Sequence, residues 1–174
     1  MSLPRYREIL MASGPFLLIE EPDGGIRTGW AAFDTLLPAE ATPAPHLLPE
    51  LAERLERYFT GEPVDFSDVP LSKGPPFHRA CWAAARRIPR GEHITYAQLA
   101  AAAGSPRAIR AAGQAMRRNP QPVFTPCHRV VASDGSLGGF AGDTRSDHPG
   151  LGTKRLLIAL ETDKGASRAS NPVP

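Results

Sequence analysis

Apolar positions change period twice along the chain. Residues 4–37 carry short apolar runs such as Pro15-Phe16-Leu17-Leu18-Ile19-Glu20, broken by Asp23-Gly24-Gly25, which predict strands joined by a turn. Leu48, Leu51, Leu55 and Tyr58/Phe59 then fall at helical spacing and predict a helix over Pro49 to Phe59. Residues 60–76 read as a proline-punctuated linker. A second helix near Phe77 to Arg87 holds Cys81 as a buried core residue. Further on, Thr95-Tyr96-Ala97-Gln98 has the form of a capping box opening an alanine-rich helix that Gly104 can end in a left-handed turn. Ser105 is expected to cap the next helix, with Pro106 at its first position and its end near Arg118, before Asn119-Pro120.

That last helix has two unlike faces. With Arg107 set at 0° and a step of about 100° per residue, Ala108, Ile109, Ala112, Ala115 and Met116 form a core-facing stripe. Arg107, Arg110, Gln114, Arg117, Arg118 and the small Ala111 lie opposite. A solvated charged face is the usual explanation for such residues, but most such faces mix signs, and this one has no acid. The pattern is α+β: a small strand-rich N-terminal unit over residues 1–75, with its linker, then a mostly helical unit over residues 76–161 containing a helix-turn-helix. Residues 162–174 form a polar tail expected to be disordered.

Charge sharpens this division. Residues 1–77 carry 6 Lys+Arg against 12 Asp+Glu, net −6, while residues 78–174 carry 14 against 6, net +8. From His78 to Arg129 there are nine arginines and one acid, Glu92. A one-signed basic surface of this kind suits a phosphate backbone. No apolar run has membrane length and no signal-peptide pattern is present, so a cytoplasmic protein without membrane contact is expected. Nothing marks a dimer, and a monomer is expected, with cooperative binding along DNA left open. Residues 1–76 hold no cysteine and one histidine, His46, which argues against a structural zinc there. No metal and no cofactor is expected.

The candidate chemistry lies in Pro126-Cys127-His128-Arg129-Val130. A thiol attacks as its thiolate, and an imidazole able to take the proton relieves the small ionised fraction at neutral pH. A Cys-His pair alone is more often a buried cysteine beside a histidine; its surroundings decide.

Those surroundings resemble the catalytic domain of the O6-alkylguanine-DNA alkyltransferases, the methylated-DNA–protein-cysteine methyltransferases. The matching pieces are Ile94-Thr95-Tyr96-Ala97-Gln98-Leu99-Ala100, Arg110-Ala111-Ala112-Gly113-Gln114-Ala115-Met116, Asn119-Pro120, Pro126-Cys127-His128-Arg129-Val130-Val131, and Asp134-Gly135-Ser136-Leu137-Gly138-Gly139-Phe140-Ala141-Gly142. The resemblance spans residues 76 to 161; the first 75 match only in outline.

It implies irreversible, single-turnover transfer of an alkyl group from O6 of guanine in DNA to Cys127, with O4-alkylthymine left open as a second substrate. It further implies that His128 accepts the thiol proton through a water, that Glu161 orients the imidazole, and that Asn119 braces the turns around the cysteine. For Asn119, a plain turn residue before Pro120 fits the residues equally well. The target base must leave the duplex, reached from the minor groove. By resemblance Arg110 fills the gap in the stack and Tyr96 crowds the target phosphate. Ser105, Arg107, Ala111, Gln114, Arg117 and Arg118 would contact DNA, and Met116, Val130, Phe140 and Ala141 would line the base pocket. Phe140 and Ala141 depart from the tyrosine and serine found in relatives, which removes hydroxyls from the pocket. Residues 143–153 form a longer segment than the family pattern and read as a Gly/Pro-rich loop beside the site. Two other readings stand beside alkyl transfer. One is a damage-binding protein that flips alkylated bases without transfer, against which Cys127 argues. The other is a cysteine hydrolase, for which no oxyanion-hole motif is visible.

Overall fold

The computed structural model describes residues 2–11, 14–33, 37–139 and 149–162. Three strands, β1 (Arg5–Ile9), β2 (Phe16–Glu20) and β3 (Ile26–Trp30), form an antiparallel meander. A short β4 (Thr42–Pro43) adds in parallel to β1, giving the order β3-β2-β1-β4. Phe16, Leu17, Leu18 and Ile19 are all buried, so β2 is covered on both faces, as its unbroken apolar run requires.

Helix α1 (Pro49–Phe59) has the bounds its apolar spacing predicts and buries Leu51, Ala52, Leu55 and Tyr58. No helix or strand occupies residues 60–75. Helix α2 (Pro76–Arg86) buries Cys81 and Trp82. The structure is thus mixed α+β, with strands near the N-terminus and helices after them.

Two short pieces then set the geometry of the C-terminal half. Strand β5 (Ile94–Thr95) leads straight into helix α3 (Tyr96–Ala102). Thr95 accepts a hydrogen bond from the Gln98 amide at 3.2 Å, and Gln98 Oε1 accepts from the Thr95 amide at 2.7 Å, which is the expected capping box. Gly104 has φ +83°; its amide donates to Ala101 and the Ser105 amide donates to Ala100, a Schellman stop.

The next helix departs from expectation. Helix α4 runs Ile109–Arg117, and Ser105 does not cap it. Instead the Ala108 amide donates to the Ser105 carbonyl at 2.9 Å, so Pro106 is the second residue of a tight turn rather than the first of a helix. Proline's fixed φ serves both roles, and the four-residue turn between the helices takes it. Ile109, expected on the inner stripe, is 44% exposed at the helix start, while Ala112, Ala115 and Met116 are buried as their spacing requires.

After α4 the chain turns through residues 118–126 into a 3-10 turn, Cys127–Arg129, and strand β6 (Val130–Val131). Strand β6 pairs in parallel with β5, Ile94 opposite Val130 and Thr95 opposite Val131. That two-residue ladder fixes the start of α3, hence Tyr96, against the turn that carries Cys127. Helix α5 (Pro149–Thr162) closes the structure. It takes in residues 149–153, which the sequence reading assigns to a loop: Gly150 and Gly152 do not break it, because Leu151, Thr153 and Lys154 are buried against the body. Residues 143–148 and the tail beyond Thr162 lie outside the described residues.

The N-terminal sheet is bonded to the turn before Cys127. The Thr28 amide donates to the Pro120 carbonyl at 3.0 Å and its hydroxyl to the Pro122 carbonyl at 2.7 Å. Gln121, buried, donates through Nε2 to the Ile26 and Pro70 carbonyls, both at 3.0 Å. Its Oε1 accepts from the Ser72 amide at 3.0 Å and from Arg86 Nη2 at 2.9 Å. All four of its hydrogen-bonding positions are used, as a buried amide requires.

Candidate active site

Asn119, Gln121 and Thr125 each precede a proline, which pushes them out of helical backbone and forces α4 to stop. The resulting turn is closed by its own side chains. Asn119 Nδ2 donates to the Thr125 carbonyl at 2.8 Å, and Asn119 Oδ1 accepts from the Gln121 amide at 3.0 Å. The Thr125 amide donates to Gln121 and the Cys127 amide to Thr125, at 2.7 and 2.8 Å. Val123 is held at φ +76°, a costly conformation for a β-branched residue, within this turn. A strained segment pinned from several sides is well suited to aiming one side chain.

That side chain is Cys127, 9% exposed. Burial pushes its thiol up from the ordinary value, opposed by a hydrogen bond from Asn119 and by the charge of Lys154. The resting group is therefore a thiol, and needs a base to react near neutral pH.

His128 is fully buried, and burial holds its imidazole below the ordinary range against the raising effect of Glu161. Its Nε2 lies 2.8 Å from Glu161 Oε1. With the carboxylate as acceptor, the proton sits on Nε2 and leaves Nδ1 able to accept one; Nδ1 has no protein partner among the described residues.

Glu161, on α5, has a side chain 1% exposed. Burial would raise its carboxyl, but hydrogen bonds from His128 and Arg129 outweigh that and hold it well below the usual carboxylate range. Arg129 grips it with both arms, Nε to Oε2 at 2.8 Å and Nη2 to Oε1 at 2.9 Å. Tyr58, from α1, donates its hydroxyl to Oε1 at 2.7 Å.

Lys154 is a second buried charge. Its Nζ donates to the carbonyls of Val130 at 2.6 Å, Leu137 at 2.5 Å and Gly139 at 3.3 Å, so one ammonium ties α5 to β6 and to the chain leading toward residue 140. Burial outweighs the raising effect of a Cys127 charge and lowers it to about 8, so it stays mostly protonated at neutral pH. It also lies 5.9 Å from the centre of the Tyr96 ring. Tyr96 packs on Gly138, where a Cβ would come within 3.1 Å of the ring, and burial pushes its phenol up to about 12, with the Cys127 charge adding to the shift.

The other expected site residues divide by face. Met116 and Val130 are buried in the same apolar core as Cys127. Arg110, Gln114, Arg117 and Arg118 are exposed on α4 or at its end, and Ala111 is half-buried beside them. Ser105 and Arg107 lie in the turn before α4, not on the helix. Phe140 and Ala141 lie outside the described residues. Arg129, Lys154 and Tyr58 take part in the site without having been singled out for it. Lys154 carried a readable signal, a cation set among the inward positions Leu151 and Leu157 of an apolar stripe. Tyr58 carried none beyond its helical spacing. Among the described residues no group of three His, Cys, Asp or Glu side chains could hold a metal, and no helix is long and apolar enough to cross a membrane.

Fold and site together have the make-up of a thiol-centred transferase built on a basic helix-turn-helix. Residues 76–163 match the family model described as 6-O-methylguanine DNA methyltransferase, DNA binding domain. The chain is 43% identical to the constitutive methylated-DNA–protein-cysteine methyltransferase of Bacillus subtilis over 136 residues, 74% of this chain and 81% of that one. It is similar to the crystal structure of Mycobacterium tuberculosis O6-methylguanine methyltransferase, with TM-score 0.77, 33% identity and coverage of 97% and 96% of the two chains. A structure of the Mycobacterium tuberculosis protein in complex with DNA matches with the same TM-score at 32% identity, over 91% and 92%. The chain belongs to the methylated-DNA–protein-cysteine methyltransferase family.

Proposed function

We infer that this protein repairs alkylated DNA by moving the alkyl group from O6 of guanine to Cys127, once per molecule. The carrying observation is a buried cysteine whose neighbouring histidine is held by a carboxylate at 2.8 Å, in a chain of this family. In the transfer, sulfur attacks the alkyl carbon, the C–O6 bond breaks with its electron pair on the base, and a thioether remains. His128 takes the thiol proton at Nδ1 through a water, and Glu161 with Arg129 keeps the ring in the tautomer that permits this. Asn119 steadies the turn and lowers the cost of the thiolate. Lys154 adds a positive charge nearby. No step restores the thiol, so the protein is consumed stoichiometrically. A damage-binding protein that does not transfer would have no use for this set of groups around a thiol.

The exposed face of α4 is proposed as the DNA contact, entering the minor groove with Arg110 replacing the extruded nucleotide in the stack. Arg107, Gln114, Arg117 and Arg118 reach phosphates, Ser105 and Ala111 allow close approach, and Tyr96 crowds the target nucleotide. Met116, Val130, Phe140 and Ala141 are proposed to line the base pocket, and residues 76–161 to be the unit that carries these groups. The absence of acids on the face supports this, since each phosphate met by an arginine releases a counterion. Arg110→Ala is expected to slow transfer about tenfold or more on a fully paired duplex, where unstacking costs a few kcal/mol, and much less on single-stranded DNA. Equal losses on the two substrates would count against the wedge.

The direct test is intact-protein mass after incubation with a duplex containing O6-methylguanine, followed by peptide mapping. One methyl group on Cys127, saturating at one per protein, is the expected result. Binding without a mass change would overturn the transfer.

A further inference from the structure

We propose that Tyr58, in the N-terminal unit, is a positioning residue of the transfer site: its hydroxyl sets the orientation and basicity of Glu161 and, through it, of His128. The inference rests on the alkyl-transfer reading for its consequence, and on geometry for its substance. Tyr58 lies on α1, outside the stretch matched by the family model, and 103 residues before its partner. Its hydroxyl is 2.7 Å from Glu161 Oε1 and 3.4 Å from His128 Nε2.

An ionised carboxylate only accepts, so the phenol must donate. Glu161 Oε1 thus receives three donors, from Tyr58, His128 and Arg129, and Oε2 receives Arg129 Nε. Each donor draws charge from the carboxylate and makes it a weaker partner for the imidazole. The phenol itself is held rigidly. Its ring packs edge-on to Phe59 and Phe66, and the Arg90 guanidinium sits 5.5 Å from the ring centre. Arg90 is in turn fixed by the Gly61 and Leu160 carbonyls, both at 2.9 Å from Nη2, so it binds the end of α1 to α5 one residue before Glu161. Two elements distant in sequence are locked at the point where the hydroxyl meets the carboxylate.

The titratable and charged groups around this point are Tyr58 and Arg90 from α1 and the α2–β5 connection, Cys127, His128 and Arg129 from the 3-10 turn, and Glu161 and Lys154 from α5. Removing the hydroxyl alone leaves every charge in place. It makes Glu161 more basic, strengthens its bond to His128 and raises the imidazole. The histidine must be neutral to take the thiol proton, so the acid side of the rate profile moves to higher pH.

The experiment compares the full chain with Tyr58→Phe, after circular dichroism has shown that the variant is folded. The acid-side midpoint of methyl transfer is expected to rise by roughly half a pH unit or more. Without DNA, the His128 Nε2–H proton resonance is expected to move downfield. Ring-fluorinated tyrosine at position 58, a stronger donor of nearly the same shape, should move both readouts the other way, and serves if Tyr58→Phe fails to fold. A uniform fall in rate, with an unchanged midpoint and an unmoved resonance, would reduce Tyr58 to packing and overturn the proposal. If the unaltered protein transferred no methyl group, alkyl transfer would fall, and the resonance would still decide whether Tyr58 tunes His128.

Discussion

Cys127→Ala is expected to abolish methyl uptake while leaving DNA binding within a few-fold of the unaltered protein. No described neighbour can replace the sulfur. Cys81 is fully buried on α2, and burial alone pushes its thiol up to about 11, so it stays a protonated core residue. The proposed DNA face, by contrast, lies on the exposed side of α4 and owes nothing to the thiol. Protein mass after exposure to an O6-methylguanine duplex, with fluorescence anisotropy for binding, separates the two properties. Transfer persisting in Cys127→Ala would refute the nucleophile. Loss of binding together with transfer would show that the cysteine holds the structure rather than performing the reaction.

Glu161→Gln is expected to have the second largest effect, on stability and rate together. The amide has one oxygen where the carboxylate offers two, and its NH2 group would face donors. Arg129, with a side chain 14% exposed, would lose its only carboxylate partner among the described residues. Breaking a buried pair from one side costs about 3–5 kcal/mol. Losing the group that fixes the His128 tautomer removes proton transfer worth about 10²–10⁴ in rate. The stability effect has a definite pH dependence. Folded Glu161 ionises below its ordinary value of 4.5, so its contribution is complete above that pH and is lost as pH falls through the lower folded value. Denaturant unfolding at neutral pH should show the full gap between the two proteins, and unfolding in acid a narrower one. A gap independent of pH would mean that the carboxylate charge is not what stabilises this region.

What could be read from the sequence was mostly what is local. Helix α1 follows from Leu51, Leu55 and Tyr58, and the start and stop of α3 from Thr95, Gln98 and Gly104. In each case the partner is within a few residues, so the pattern is self-contained. Pro106 shows the limit of that approach. One residue type serves the first turn of a helix and the second place of a tight turn, and only the bond from Ala108 to Ser105 separates them. Gly150 and Gly152 mislead in the opposite sense, because burial of Leu151 and Lys154 outweighs their poor helix propensity.

The site divides the same way. Cys127 and His128 are adjacent and Asn119 is a turn away, whereas Glu161 could be assigned only through family resemblance. Tyr58 meets Glu161 across 103 residues, and Gln121 meets Ile26 across 95. No local periodicity encodes such pairs.

The bonds that join Thr28 and Ile26 to residues 120–122, just before the Cys127 turn, also bear on how the molecule folds. Hydrogen bonds spanning 94 and 95 residues close large loops, and that entropy must be lost before the contacts can return it. The α3–α4 pair is local and can form early. The turn that carries Cys127 is bonded to the N-terminal meander through residues 120–122 and to α5 through His128 and Glu161, so it is expected to settle only after both have docked. The turn that carries Cys127 is therefore expected to be among the last parts of the described chain to take its final form.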